Sequence, residues 1–158
     1  MTAPRTLLGA ACAAAALALA PAAASAVSWP GAAGAAPADA AYAAEMVGAI
    51  NRLRARHGLG ALAASVPLAR GAGAHSRSMV RYGYIGHARK IRPAGFRLAG
   101  EIIEWHDAPR ARVALALRMW MHSATHRRLL LDGRFRYVGA GTATGRHWRI
   151  WTVRFGAK

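Results

Sequence analysis

Residues 66–82, VPLARGAGAHSRSMVRY, carry the clearest periodic signal in the chain. Five side chains in this segment recur at spacings of three and four residues: Leu68, Ala72, His75, Met79 and Tyr82. Such spacing places them on one face of an α-helix. Ser65 suits the N-cap, Pro67 the first turn and Gly83 the residue after the last turn. The segment therefore predicts an amphipathic helix, with His75 hydrogen-bonded within the core.

Helical patterns also lie on either side of this segment. Asp39 suits the N-cap of an earlier helix, whose apolar positions are Tyr42, Met46, Ile50 and Leu53. Downstream, Asp107 and Pro109 predict the start of a third helix, which has Trp120 on its apolar face. A short helix is expected at residues 125–131, before the turn signal Asp132-Gly133.

Strand patterns occupy three other segments. Residues 101–105, EIIEW, alternate as a short strand does, and residues 136–142 and 147–155 predict two more. Residues 84–100 show no period and contain Gly86, Pro93 and Gly95, which predicts a long loop of functional importance. Helices on both sides of a small antiparallel sheet predict an α+β domain.

Length and charge limit the function classes. A chain of 158 residues allows one domain, and 22 Lys plus Arg against 6 Asp plus Glu give a formal net charge of +16. A protein this basic attracts polyanions. The Arg clusters are spread along the chain without a nucleic-acid-binding motif, so we expect an anionic cell envelope or membrane surface as partner rather than nucleic acid.

The N-terminus has the pattern of an export signal. Residues 1–26 contain the early cation Arg5, an Ala/Leu-rich stretch and the small-x-small end Ala24-Ser25-Ala26. This predicts a secretory signal peptide, followed by a flexible leader at 27–38 and one domain at 39–158. The single Cys12 lies within the signal, so the mature domain is expected to be cysteine-free and secreted or extracytoplasmic.

Polar residues at element boundaries are the candidate site. The chain contains no HExxH, Gly-rich phosphate loop, GxSxG or CxxC motif. His87 lies in the long loop, Glu101 begins a strand and His126 begins the short helix. Two imidazoles and a carboxylate can bind a divalent cation or relay protons if the fold brings them together.

Several strings, in order, carry a family resemblance: AHSRSMVRYGYIGH (74–87), GEII (100–103), WMHSATHR (120–127), VGAG (138–141) and WTVRF (151–155). Asn51-Arg52 with His57-Gly58 adds a looser match. The chain resembles the CAP superfamily (cysteine-rich secretory, antigen 5, pathogenesis-related 1), in its bacterial, SCP-like branch.

The resemblance implies an α-β-α sandwich with a central cleft. His87, Glu101 and His126 fall on three of the four polar positions of the family's cleft, and the fourth, an acid in many members, is Ser123 here. It also implies that His87 and His126 could hold a divalent cation such as zinc, and that the ligand could be apolar or lipid-like.

Other polar residues receive structural interpretations. Glu104 is expected to be a surface acid, Asp107 a helix cap and His106 an exposed residue of a turn or strand end. Trp120 and Trp151 are expected in the core or the cleft wall.

Three functions remain open from the sequence. The first is a monomeric, extracytoplasmic module that binds a small apolar or lipid-like ligand near His87, Glu101 and His126. The second is a metal-assisted hydrolase with Glu101 as base and the two histidines as ligands. The third is a cationic antimicrobial or envelope-binding protein.

Overall fold

A computed structural model describes residues 37–107 and 112–158. The predicted signal peptide and nearly all of the predicted leader lie outside these residues. The elements in chain order are α1 (Pro37–Arg56), β1 (Ala63–Ala64), α2 (Val66–Tyr82), β2 (Leu98–His106), α3 (Val113–His122), α4 (Ala124–Leu130), β3 (Tyr137–Thr144) and β4 (Arg149–Ala157). The predicted α+β class is confirmed.

The segment with the strongest helical period forms α2 with the predicted ends. The side chain of Ser65 accepts a hydrogen bond from the backbone N–H of Leu68, and Gly83 takes a left-handed φ of 65°. That conformation favours glycine because it has no Cβ.

The sheet has the strand order β1-β3-β4-β2. The three long strands are antiparallel, as predicted, and the two-residue β1 adds a parallel pairing to β3 that the sequence pattern did not indicate. Among the described strands, β2 lies at one edge and pairs only with β4. One backbone edge of β2 is therefore free to line a cavity.

Helix α2 covers one face of the sheet at very short range. A Cβ at Gly139 would collide with the backbone of Ala69, and one at Gly141 would collide with the backbone of Gly73. The two glycines of the VGAG string therefore allow α2 to lie directly on β3.

The opposite face of the sheet carries the main apolar core. Residues from α1, α3, β2, β3 and β4 form it, including Met46, Ile50, Ile102, Trp120, Val138, Trp151, Val153 and Phe155. Trp120 and Trp151 are fully buried, as expected of core residues. The predicted α-β-α sandwich is confirmed.

Two polar side chains of α1 fix the loops beside it. Asn51 both donates to the Leu62 carbonyl (3.0 Å) and accepts from the Leu62 N–H (2.9 Å). Arg54 is 2% exposed and donates to the carbonyls of Gly60, Leu130 and Asp132. Arg52, which the looser sequence match included with Asn51, is exposed, and Arg54 has the structural role.

The beginning of α3 differs from the prediction. The helix starts at Val113 with Arg112 at the N-cap, so Asp107 does not cap it. Residues 108–111, which include the predicted Pro109, lie outside the described chain. Nowhere in the described part does a helix combine the length and apolar character needed to cross a membrane.

Candidate functional site

Glu101 is bonded to three different residues, on the neighbouring strand and in the loop between α2 and β2. It lies directly opposite Arg154 in the β2–β4 register, and its Oε2 accepts a hydrogen bond from Arg154 Nε at 2.8 Å. Its Oε1 accepts from the Ala88 N–H at 3.0 Å and lies 3.0 Å from His87 Nδ1. Glu101 is 5% exposed and Arg154 is 7% exposed. The pair therefore joins the sheet to the loop between α2 and β2.

These partners set the protonation of Glu101. Burial raises the pKa of this carboxyl, but hydrogen bonds from Ala88, Arg154 and His87 outweigh it and hold the pKa below its ordinary value. Glu101 is therefore ionised at neutral pH and its oxygens are already occupied. A carboxylate in this state is a poor general base.

The loop is held at three consecutive residues. His75, on α2, has its Nε2 2.8 Å from the Gly86 carbonyl oxygen and 4.0 Å from Glu101 Oε1. The predicted hydrogen-bonded core histidine is confirmed. Because Glu101 holds His87 and Ala88 as well, residues 86–88 form a fixed wall.

A cavity of about 630 Å³ lies along this wall, at the free edge of β2. Its apolar lining comes from the loop, β2 and α3: Ile85, Gly86, Ile103, Trp105 and Met119. Its polar lining consists of His87, Glu104, His106, Asp107 and His126. Trp120 donates from Nε1 to the Ile103 carbonyl at 2.9 Å, which anchors α3 beside the edge strand.

The structure brings two of the three predicted site residues to this cavity. His87 and His126 both line it, whereas Glu101 lies behind His87 and bonds to it. Burial lowers the pKa of His126, and the nearby His87 lowers it further. Burial is the larger of the two causes, and both favour the neutral imidazole.

The donor set does not suit a metal centre. Within residues 37–107 and 112–158, no group of three or more His, Cys, Asp or Glu is arranged to hold a metal ion. His87 and His126 therefore lack a third protein ligand among these residues, and the Glu101 oxygen that faces His87 is already bonded to His87 and to the Ala88 N–H.

Glu104 and its neighbours correct the sequence analysis. Glu104 is 9% exposed and His106 is 7% exposed, so neither is a surface residue, and Asp107 lines the cavity instead of capping a helix. The missed signal was strand alternation. Glu104 and His106 share the face of Ile102, which the apolar core covers, while Glu101 faces α2.

The environment of Glu104 is unlike that of Glu101. Its Oε1 is buried and has no hydrogen-bond partner in the described chain. Burial raises its pKa to about 7, although the Trp105 backbone N–H lowers it in part. Glu104 therefore changes its charge near neutral pH.

A second, basic groove of about 380 Å³ lies between α2 and the loop. Its cationic residues are Arg70, Lys90, Arg92 and Arg154, and none of its described lining residues is acidic. Glu101 connects the two concavities: one oxygen bonds to Arg154 in the groove and the other to His87 in the cavity wall.

Comparison with known proteins defines the class to which this fold belongs. An extracellular protein of Bacillus anthracis containing an SCP domain is 28% identical, with a TM-score of 0.63, over 76% of this chain and 41% of that one. An outer surface protein of Borrelia burgdorferi is 18% identical, with a TM-score of 0.65, over 73% of this chain and 91% of that one. Venom allergen-like protein 4 of Schistosoma mansoni is 10% identical, with a TM-score of 0.58, over 78% of this chain and 91% of that one.

TM-scores of 0.58 to 0.65 show that these three structures share the fold of this chain. The sequence profile of the cysteine-rich secretory protein (CAP) family matches residues 47–155. The chain belongs to the CAP family. This chain spans less than half of the Bacillus anthracis protein, and no curated protein matches it.

Proposed function

We propose that this CAP-domain protein is exported and binds a small apolar or lipid-like ligand in the cavity at the edge of β2. One observation carries the proposal. Five large hydrophobic side chains of the described chain are strongly exposed, and three of them, Ile85, Trp105 and Met119, line this cavity. Exposed apolar side chains grouped around a concavity are typical of a ligand site.

The cavity also has the size and rigidity of a binding site. A volume of about 630 Å³ lies within the range of small-molecule pockets. The bonds of His75 and Glu101 to residues 86–88 hold one wall in place without a ligand, so less ordering accompanies binding.

Export is supported by two independent features. The first 26 residues have the pattern of a cleavable signal peptide. The relative from Bacillus anthracis is described as an extracellular protein.

Titration with Nile red, a neutral apolar fluorophore, tests the proposal. We expect fluorescence enhancement that decanol reverses by displacement. Met119→Glu should weaken binding about tenfold or more, because a charge replaces an apolar wall residue that is exposed enough for the variant to fold. Tyr82→Ser is the matched control, since Tyr82 is 67% exposed and lies outside the cavity lining. Equal weakening by both variants would refute a specific cavity.

The basic groove favours a second function, retention on an anionic envelope surface. Arg70 and Lys90 are exposed at the groove, and Arg92 contributes a third charge from the loop. Each cation near an anionic surface adds about 1 kcal/mol.

Vesicles containing an anionic phospholipid provide the test. Arg70→Glu with Lys90→Glu should reduce retention more than the matched pair Arg52→Glu with Arg128→Glu, and added salt should abolish the difference. If the two pairs of substitutions reduced retention equally, the overall charge of the protein would account for retention and the groove would have no specific role.

A further inference from the structure

We infer that the ligand of the cavity is an amphiphile with a positively charged head group, of the alkylammonium class, and that Glu104 is its counter-ion. This inference rests on the proposed function and adds the chemistry of the polar end of the ligand. It depends on where the few acidic residues of the chain lie, and on the state of Glu104.

Only six acidic residues occur in this chain. Three of them are bonded to arginines: Asp39 to Arg149, Glu101 to Arg154 and Asp132 to Arg134. Of the other three, Glu45 is exposed on α1, whereas Glu104 and Asp107 both line the cavity.

The charged side chains of the cavity wall are therefore opposite in sign to those that predominate in the rest of the molecule. Although the chain has 22 Lys and Arg, none of the described lining residues is Lys or Arg. A ligand with a carboxylate or phosphate head would find neither Lys nor Arg in this described lining. A ligand with an ammonium head would meet two carboxylates.

Glu104 has a carboxylate oxygen that lacks a hydrogen-bond donor. A buried carboxylate oxygen without a hydrogen-bond donor is unfavourable, and Glu104 Oε1 is in this state. Trp151, directly opposite on β4, also has a buried Nε1 without a partner, but Trp151 does not line the cavity. Rotation of the terminal carboxylate, a soft torsion, can present Glu104 to a donor in the cavity.

The groups around Glu104 leave the role of counter-ion open. On its own strand lies His106, and on β4 Arg149 faces the same side, where its Nη1 is bonded to Asp39. From α4 and the loop come His126 and His87, and Asp107 follows β2. Burial and His87 hold His126 towards its neutral form, so it does not supply a strong positive charge.

The electrostatic field of the whole protein opposes the proposed preference for a cation. A net charge of +16 attracts anions and repels cations at every non-specific surface site. A preference for a cationic amphiphile must therefore come from local carboxylates.

Three competitors with the same ten-carbon tail should be compared in the displacement of Nile red: decanol, decylammonium and decanoate. At about pH 8 we expect decylammonium to bind about tenfold more tightly than decanoate. Its affinity should fall towards about pH 6, where Glu104 takes up a proton. Glu104→Gln should remove most of the preference and of the pH dependence, and should weaken decylammonium much more than decanol, which has no charge.

Glu45→Gln is the matched control, because it removes the same charge from an exposed position on α1. Asp107→Asn should have a smaller effect than Glu104→Gln, since Asp107 is exposed to solvent. If decanol binds but decanoate equals or exceeds decylammonium, or if Glu104→Gln behaves like Glu45→Gln, the inference is wrong while the proposed function stands. If Nile red and decanol do not bind, both are wrong.

Discussion

The two faces of strand β2 each carry a buried glutamate, and the two environments shift the pKa in opposite directions. Glu101 faces α2 and Glu104, three residues later, faces the side of the main core. Both are almost fully buried, at 5% and 9% exposure. Yet the pKa of Glu101 lies below its ordinary value and that of Glu104 is raised to about 7.

The difference shows that partners, and not burial, decide what a buried carboxylate does. Glu101 has an arginine, a histidine and a backbone N–H around it, so it remains charged and holds the loop in place. Glu104 has one oxygen without a partner, so burial is not offset and raises its pKa to about 7. Glu101 therefore has a structural role, whereas the environment of Glu104 is the observation on which the proposed binding of a cationic ligand rests.

Removal of Arg154 should give the largest effect. In Arg154→Met the buried charge of Glu101 loses its strongest partner, and the free energy of unfolding should fall by about 3 kcal/mol or more. Urea unfolding at neutral pH measures this change.

The double variant Arg154→Met with Glu101→Gln provides the control. Because neither buried group is then charged, it should recover more than half of the loss. A loss below about 1 kcal/mol in the single variant would show that Ala88 and His87 alone stabilise Glu101.

Glu104→Gln should have the opposite sign and a pH dependence. The folded state binds the Glu104 proton more tightly than the unfolded chain, in which the pKa is near 4.5. Stability is therefore lost as the pH rises from about 4.5 to about 7, and the loss remains above pH 7. At about pH 8 the variant should gain up to about 3 kcal/mol over the wild type, with no gain below pH 4.5.

Glu101→Gln sharpens this comparison. Since the pKa of Glu101 is lowered, its contribution is present above the ordinary value of 4.5 and lost only as the pH falls through the folded pKa. This variant should be less stable than the wild type at neutral pH. Thermal unfolding of both variants between about pH 4 and 8 should give differences of opposite sign, and equal signs would contradict the contrast.

His87→Ala should have the smallest effect on stability. The His87 side chain is 61% exposed, so its interaction with Glu101 is screened by water and should contribute less than about 1 kcal/mol. Urea unfolding measures this change too. A loss above about 2 kcal/mol would mean that His87 is a structural partner comparable with Arg154.

Much of the fold could be read from local patterns. The period of α2, its Ser65 and Gly83 caps, and the alternation of Trp151, Val153 and Phe155 predicted elements that the structure contains. The two-residue β1 could not be predicted, because two exposed alanines have no pattern and depend on pairing with β3.

The candidate site could be predicted only in part. His87 and His126 do line one cavity, but the sequence predicted Glu101 as a third residue of the cleft and Glu104 as a surface acid. Alternation along β2 would have predicted that Glu104 and Glu101 lie on opposite faces of the sheet. Which groups surround Glu104 is decided by residues distant in the sequence. The same is true of Glu101, whose partner Arg154 lies on another strand.

The sequence by itself determined the helices, the long strands, the strong positive charge and the family, because these follow from local spacing and from residue types in order. The tertiary structure alone decided which acids are neutralised. Strand register places Arg154 opposite Glu101 and Trp151 opposite Glu104. Since the charge of a buried carboxylate depends on the groups within a few ångströms, the pKa values of two similar residues shift in opposite directions.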